Sequence, residues 1–260
     1  VHGSNDLLIV NKLLINTKHY SKLTLLTAYL FVVSFAILIF YWAPALAMIL
    51  FMLFSAYHFG EQHWEHRFFK LNSFRKSIFY FSYGMFILYL LFAFNDTGVK
   101  SIVFEITSYE ITRLYSQIVL IVLGSIIGLV LITEFLTKRL AIEAILKELF
   151  TLVVLAMIFS SSSLIWGFAI YFILWHSIPS LLEQIKFIYG DVKTVSALNY
   201  CKAALPYWVI SLVGMVILYA IFSSEKQFYS LFFAFIAAVT FPHAIVMVKM
   251  FSKKKSTTIN

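Results

Sequence analysis

The sequence contains few of the residues that soluble proteins use to cover or crosslink themselves. Charged residues make up 12% of the 260 positions, whereas hydrophobic residues make up 62%. A soluble domain of this length cannot cover its apolar surface with so few charges, so the composition predicts a polytopic membrane protein. Cys201 is the only cysteine, which excludes an intrachain disulfide and a cysteine-based metal cluster. Any bound metal must therefore have nitrogen and oxygen ligands.

The net charge of +8 is carried by short linkers between apolar runs. Basic linkers alternate with neutral or slightly acidic ones, which is the positive-inside pattern of membrane proteins. We therefore expect the lipid bilayer as a partner and no nucleic acid. The basic ending Lys253-Lys254-Lys255 predicts a cytoplasmic C-terminus in a multi-pass protein of the cell (inner) membrane. The sequence predicts no particular oligomeric state.

About eight apolar runs of spanning or near-spanning length follow one another along the chain. They are Leu25–Tyr41, Ala45–His58, Ser77–Phe94, Tyr115–Glu134, Glu148–Ser160, Leu164–Trp175, Leu205–Phe222 and Phe228–Met247. They predict an all-α bundle of about eight transmembrane helices, forming a single integral membrane domain over residues 1–260. The second, fifth and sixth runs are short, so we expect them to continue into the interface or to break at a site. The chain begins at Val1 rather than methionine, which leaves room for one more N-terminal helix upstream.

Four histidines lie far apart in the sequence but near the same predicted face of the membrane. They are His2, His58, His176 and His243. An imidazole in hydrocarbon is costly without a partner, and several neutral imidazoles facing one another are a usual way to hold iron, zinc or copper without thiolates. We therefore predict a metal site with these four residues as ligands. For His63, which we expect in the following linker, a solvated role and a ligating role both stay open.

Carboxylates follow two of these histidines at helical spacing. Asp6 lies four residues after His2, and Glu61 lies three residues after His58, so each carboxylate is expected on the face of its histidine. Such a group binds the metal or fixes the tautomer of the ligating ring.

Small and kinking residues also accompany the histidines. Gly3 and Gly60 remove a side chain beside His2 and His58, which allows close backbone approach. Pro179 and Pro242 are expected to bend two helices beside their histidines. In contrast, Gly124-x-x-x-Gly128 is interpreted as a helix-packing pattern only.

Four ordered motifs resemble those of the bacteriorhodopsin-related-protein family, the membrane-bound β-carotene 15,15′-dioxygenases of rhodopsin-bearing bacteria and archaea. The motifs are His2-Gly3-x-x-Asp6, Ser55-x-x-His58-Phe59-Gly60, Trp175-His176-Ser177 and Pro242-His243. The resemblance runs along nearly the whole chain. It implies an all-helical membrane enzyme that cleaves the central double bond of β-carotene with O₂ at an Fe(II) ion, giving two molecules of retinal, the chromophore of rhodopsins.

The resemblance also implies iron ligands. Carried over by motif, these are His2, His58 and His176. Family members often have a second histidine four residues after the one in Trp-His-Ser, but here that position is Ser180. The fourth ligand is therefore His243 or His63, or the site is an open one with three histidines. Ser180 is then expected beside the metal rather than on it.

β-Carotene has no polar group to recognise, so the position of the cut would depend on the length and shape of an apolar tunnel. We expect Phe59, Tyr171 and Trp175 to line it. One rival function is a metal-ion or proton transporter with a histidine-lined path, although the apolar runs show no inverted repeat. Another is a different non-haem iron membrane enzyme, such as a lipid desaturase. The paired histidine boxes of desaturases are missing, and His63-x-x-His66 is the nearest approach to one.

Overall fold

The computed structural model describes residues 3–14, 22–65, 71–221 and 225–258, and these residues form helices and no strands. The helices are α1 (Asp6–Leu14), α2 (Lys22–Trp42), α3 (Pro44–Trp64), α4 (Ser73–Phe94), α5 (Asp96–Thr107), α6 (Ser116–Leu136), α7 (Ile142–Ser161), α8 (Leu164–Tyr171), α9 (Ile178–Tyr189), α10 (Thr194–Ile221) and α11 (Glu225–Thr258). A π-helical turn, Phe172–Ser177, joins α8 to α9. The predicted all-α membrane fold is confirmed.

Nearly all described residues of the eight predicted apolar runs lie in helices, but within the described chain six helical segments are long and apolar enough to cross a membrane. The apolar part of α2, Thr27–Trp42, is shorter. The fifth run lies in α7, which begins at Ile142 and carries charged residues in its first two turns. Two short runs continue as expected: α3 extends past His58 to Trp64, and the sixth run continues through the π turn to Tyr189.

By their internal contacts, the residues group into two compact units. One unit comprises Val1–Phe51, Glu105–Thr107 and Ser177–Asn260, and the other comprises Met52–Phe104 and Ser108–His176. We call them the terminal unit and the central unit. That the whole chain forms one integral domain stays a prediction.

The core of the central unit is built around α4. This helix packs against α6, α7 and α8, and its buried side chains include Phe79, Tyr80 and Tyr83. The approach of α3 to α4 depends on two glycines. A Cβ added at Gly60 would lie 1.8 Å from the backbone oxygen of Tyr80, and one added at Gly84 would lie 1.8 Å from that of Ala56. The close backbone approach predicted at Gly60 is therefore confirmed.

The core of the terminal unit is built around α11. This helix packs against α2 and α1. On α1, Ile9 joins Met247, Met250 and Phe251 in one buried cluster, and a second cluster joins α11 to α2 and to the start of α3. Apolar side chains such as Phe31 and Ile210 are exposed on the outer surface, as expected for helices that face lipid rather than water.

Candidate metal centre

His58 lies on α3 and its side chain is 0% exposed. The helix continues past His58 to Trp64. The polar residues of the segment that follows His58 are also buried in the central unit: Glu61, Gln62 and Glu65. Since α3 is helical through this segment, Glu61 shares the helical face of His58, as the spacing predicts.

His176 lies in the π turn and is 2% exposed. Its ring centroid is 4.8 Å from that of His58, with the two rings nearly perpendicular at 81°. Residues 118 positions apart are thus brought into contact within one unit. Single π-helical turns inside α-helices are often found at functional sites, because the extra residue re-aims the side chains of the turn.

The break in the sixth run occurs where Pro179 was expected to disturb the helix. Proline has no N–H to donate to the backbone oxygen of Trp175, so the regular α-helical ladder cannot pass through this point. The π turn lies immediately before it, and Pro179 occupies the first turn of α9, where proline is well tolerated. Pro242, in contrast, lies inside the continuous helix α11.

Aromatic rings surround the histidine pair. The ring centroid of Phe59 is 4.6 Å from that of His176, and Phe172 lies 5.2 Å away. Tyr171 packs edge-on against Phe59 at 5.5 Å. Trp175 is half-buried and packs against the same core. Of the predicted tunnel residues, Phe59 contacts both rings of the pair, and Tyr171 packs against Phe59.

His63 has a different environment from the one that the sequence predicts. It lies in the last turn of α3 rather than in a linker, and it is 16% exposed. Its Nε2 is 2.8 Å from Oε2 of Glu148, the other carboxylate oxygen of which accepts a hydrogen bond from the Tyr83 hydroxyl. The His63 ring also stacks on Tyr83, with centroids 4.9 Å apart. The predicted placement of His63 in the linker was wrong, because α3 continues to Trp64 and Glu148 on α7 provides a buried partner.

His243 lies in the terminal unit and is 0% exposed. Its Nδ1–H donates to Oδ1 of Asp6 at 2.7 Å, and the hydroxyl of Tyr29 donates to the other oxygen of Asp6 at 3.4 Å. Because a carboxylate only accepts hydrogen bonds, this contact places the His243 proton on Nδ1 and leaves Nε2 as the nitrogen able to bind a metal. Asp6 thus orients His243. His2, the histidine that the sequence predicted as the partner of Asp6, lies outside the described residues.

Ser180 is buried in the terminal unit and is held by a polar chain. Gln184 Nε2 donates to the Ser180 hydroxyl oxygen at 3.0 Å, and the Tyr200 hydroxyl donates to Gln184 Oε1 at 2.7 Å. Asn5 in turn donates to the backbone oxygen of Tyr200 at 3.1 Å. The sequence did not predict Gln184 or Tyr200 as partners of Ser180. The only signal for Gln184 is its position four residues after Ser180, on the same helical face.

The donor set of the described residues suits a metal held by nitrogen ligands. The described residues contain no group of three or more His, Cys, Asp or Glu side chains arranged to hold an ion. They do contain a buried imidazole pair, His58 and His176, and an imidazole oriented by a carboxylate, His243. Buried neutral imidazoles are typical ligands of Fe(II), and Cys201 is exposed and unrelated to either arrangement. These residues therefore supply donors of the type that the iron implied by the motifs would take.

The fold and the histidines define a class: a polytopic helical membrane protein with buried, carboxylate-supported imidazoles. Comparison with known proteins is more specific. The chain belongs to the beta-carotene 15,15′-dioxygenase family, the model of which matches residues 1–251 of the 260. No curated protein and no solved structure matches it. The membership inferred from the four motifs is confirmed.

Proposed function

We propose that this protein cleaves the central 15,15′ double bond of β-carotene with O₂ and releases two molecules of retinal. Membership of the family supports the substrate and the reaction type. The observation that carries the proposal is the contact between His58 and His176, two buried imidazoles from distant helices, in a setting of aromatic rings.

The reaction balances without a further reactant. One carbon–carbon double bond is broken, and each of its carbons forms a double bond to one oxygen atom of O₂. No proton is gained or lost and no external reductant is consumed. The site thus needs no general acid or base, and we assign none to the residues around the histidines.

We propose Fe(II) as the cofactor, with His58 and His176 as ligands together with His2 and His243. When bound, the ion supplies a redox centre with open coordination positions for O₂ chemistry. For the fourth position His243 is favoured over His63. His243 is fully buried and Asp6 holds its ring through Nδ1, whereas His63 is partly exposed and its Nε2 lies 2.8 Å from Oε2 of Glu148.

The aromatic side chains bind and orient the substrate in this proposal. A polyene offers only apolar area and π-surface, so Phe59, Tyr171 and Phe172 hold it by packing and by excluding water from the histidines. The double bond that is cleaved depends on how far the hydrocarbon chain moves along these rings.

We place the protein in the cell membrane with its C-terminus in the cytoplasm. Fusing a reporter that is active on only one side of the membrane to the C-terminus tests that orientation.

Expression in a β-carotene-accumulating bacterium tests the reaction. We expect the orange colour to fade and about two molecules of retinal to appear for each carotene lost. Under ¹⁸O₂, both retinal molecules should carry the label. Unchanged carotene in cells with verified membrane expression would show that the protein is not this enzyme. Longer apocarotenals among the products would show that the protein is a carotenoid dioxygenase that cleaves a different double bond.

A further inference from the structure

The π turn that carries His176 departs from the hydrogen-bond pattern of the flanking α-helices. In a π turn the backbone oxygens accept from five residues on instead of four, and a single such turn inside an α-helix is unusual. Pro179 removes one of the donors that would otherwise fix this segment. The orientation of His176 therefore depends on contacts from outside its own helix.

Gln62 supplies such a contact from α3. Its side-chain Nε2 donates to the backbone oxygen of His176 at 2.8 Å, and the Gln62 side chain is 6% exposed. The assignment of the amide is unambiguous, because a carbonyl oxygen only accepts and must therefore face the NH₂ group. Removing one partner of a buried hydrogen bond usually costs free energy, so this contact favours the observed position of the His176 backbone.

Gln62 lies four residues after His58, so the two side chains share one face of α3. The same helix face thus presents the imidazole of His58 and the amide that holds the backbone of His176. Both side chains and the π turn belong to the central unit. This arrangement couples the positions of the two imidazoles through one rigid helix.

We propose that Gln62 is a positioning residue that sets the separation and angle of the His58 and His176 imidazoles by holding the π turn; this inference rests on the proposed metal role of the pair. Gln62 does not touch the metal or the substrate. Partners that orient ligating side chains contribute about tenfold to a hundredfold in metal affinity. Removing the amide donor should lower affinity by that factor while both histidines remain.

The test is a titration of the purified full-length protein, freed of metal, with Fe(II) without oxygen and with Co(II), the absorption spectrum of which reports imidazole ligation. Gln62→Met keeps the length of the side chain and removes the donor. The matched control is Asn95→Leu, since Asn95, which directly follows α4, also donates from its amide to a backbone oxygen of another helix, that of Phe159 at 3.2 Å in the same unit. Thermal unfolding is recorded for each variant.

We expect Gln62→Met to weaken the binding of both metals by about tenfold or more and to alter the Co(II) spectrum. Asn95→Leu should lower stability but change neither the metal affinities nor the spectrum. If Gln62→Met does not fold, Gln62→Asn keeps an amide too short to reach the carbonyl and should show the same loss. Wild-type affinity and spectrum in a folded Gln62 variant would overturn the positioning role. Such a result would leave retinal production by the wild-type protein unaffected, so failure of the positioning role can be distinguished from failure of the proposed function. A wild-type protein that binds neither metal overturns the positioning role as well.

Discussion

The imidazole of His243 donates from Nδ1 to the carboxylate of Asp6 at 2.7 Å, which joins residues 237 positions apart in the sequence. Both side chains are buried, so neither partner can be replaced by water without rearrangement. A histidine in such a contact has a fixed tautomer and ring orientation, which is the usual preparation of an imidazole for metal binding. The first prediction follows from this pair.

Replacing Asp6 with Asn should lower iron content and retinal formation by about tenfold to a hundredfold. The amide of Asn can offer either a donor or an acceptor to Nδ1, so the tautomer with the proton on Nδ1 is no longer enforced. Iron per chain in purified protein and retinal in cell extracts measure the effect. Asp96→Asn is the control, since Asp96 is half-exposed and pairs with Lys100 within one turn of α5. Equal iron in both variants would remove Asp6 from the site.

His58→Ala and His176→Ala should each abolish retinal formation while the protein still inserts into the membrane. Removing one nitrogen from a site with few ligands loses the metal or its geometry. Retinal in extracts of expressing cells and iron in purified protein are measured together. His66→Ala, outside the described residues, should be nearly silent. Full activity in either of the first two variants would exclude that residue as a ligand.

His243→Ala should reduce iron content far more than His63→Ala. Loss of His63 instead leaves the buried Glu148 carboxylate with one partner fewer, which should cost about 1–3 kcal/mol of stability. The two variants are compared by iron content and by thermal unfolding in detergent. Loss of iron in the His63 variant, with normal iron in the His243 variant, would reverse the assignment of the fourth ligand.

Gly60→Ala and Gly84→Ala should both prevent correct packing of α3 on α4. The new methyl group in each would lie 1.8 Å from a backbone oxygen, a clash that neither side-chain rotation nor small adjustment can relieve. Because His58 lies two residues from Gly60, the yield of folded protein and retinal formation should fall together. Gly128→Ala is the matched control. A Cβ there meets nothing within 4 Å, and alanine favours the helix by up to about 1 kcal/mol, so this variant should fold normally.

Glycine patterns illustrate what could not be read from the sequence. Gly124-x-x-x-Gly128 has the familiar packing spacing, but only Gly124 is close to a neighbour, the ring of Phe86 at 3.4 Å, while Gly128 faces open space. The tighter contact is between Ala56-x-x-x-Gly60 and Gly84, where each helix contributes one glycine. Spacing identifies a face that permits close approach, but the partner helix is chosen by the packing of the whole unit.

His63 shows the same limit for polar residues. The sequence placed it beyond the end of the second apolar run, because Glu61, Glu65, His66 and Arg67 around it suggested solvent. Glu148 was a usable signal, since it is a charge at the border of the fifth apolar run, and such charges usually have a partner. Which partner it has depends on the packing of α7 beside α4, and no local pattern encodes that arrangement.

The sequence by itself determined the class of the protein, its helices and the residues able to ligate a metal. These depend on hydropathy, linker charge and residue chemistry, all of which are local properties. Only the tertiary structure decided that His58 contacts His176, that Asp6 holds His243, and that Gln62 holds the π turn. Each of these contacts joins segments that are distant along the chain. Their formation depends on how buried faces fit together, because a buried polar group needs a partner and takes whichever one the packing brings within reach.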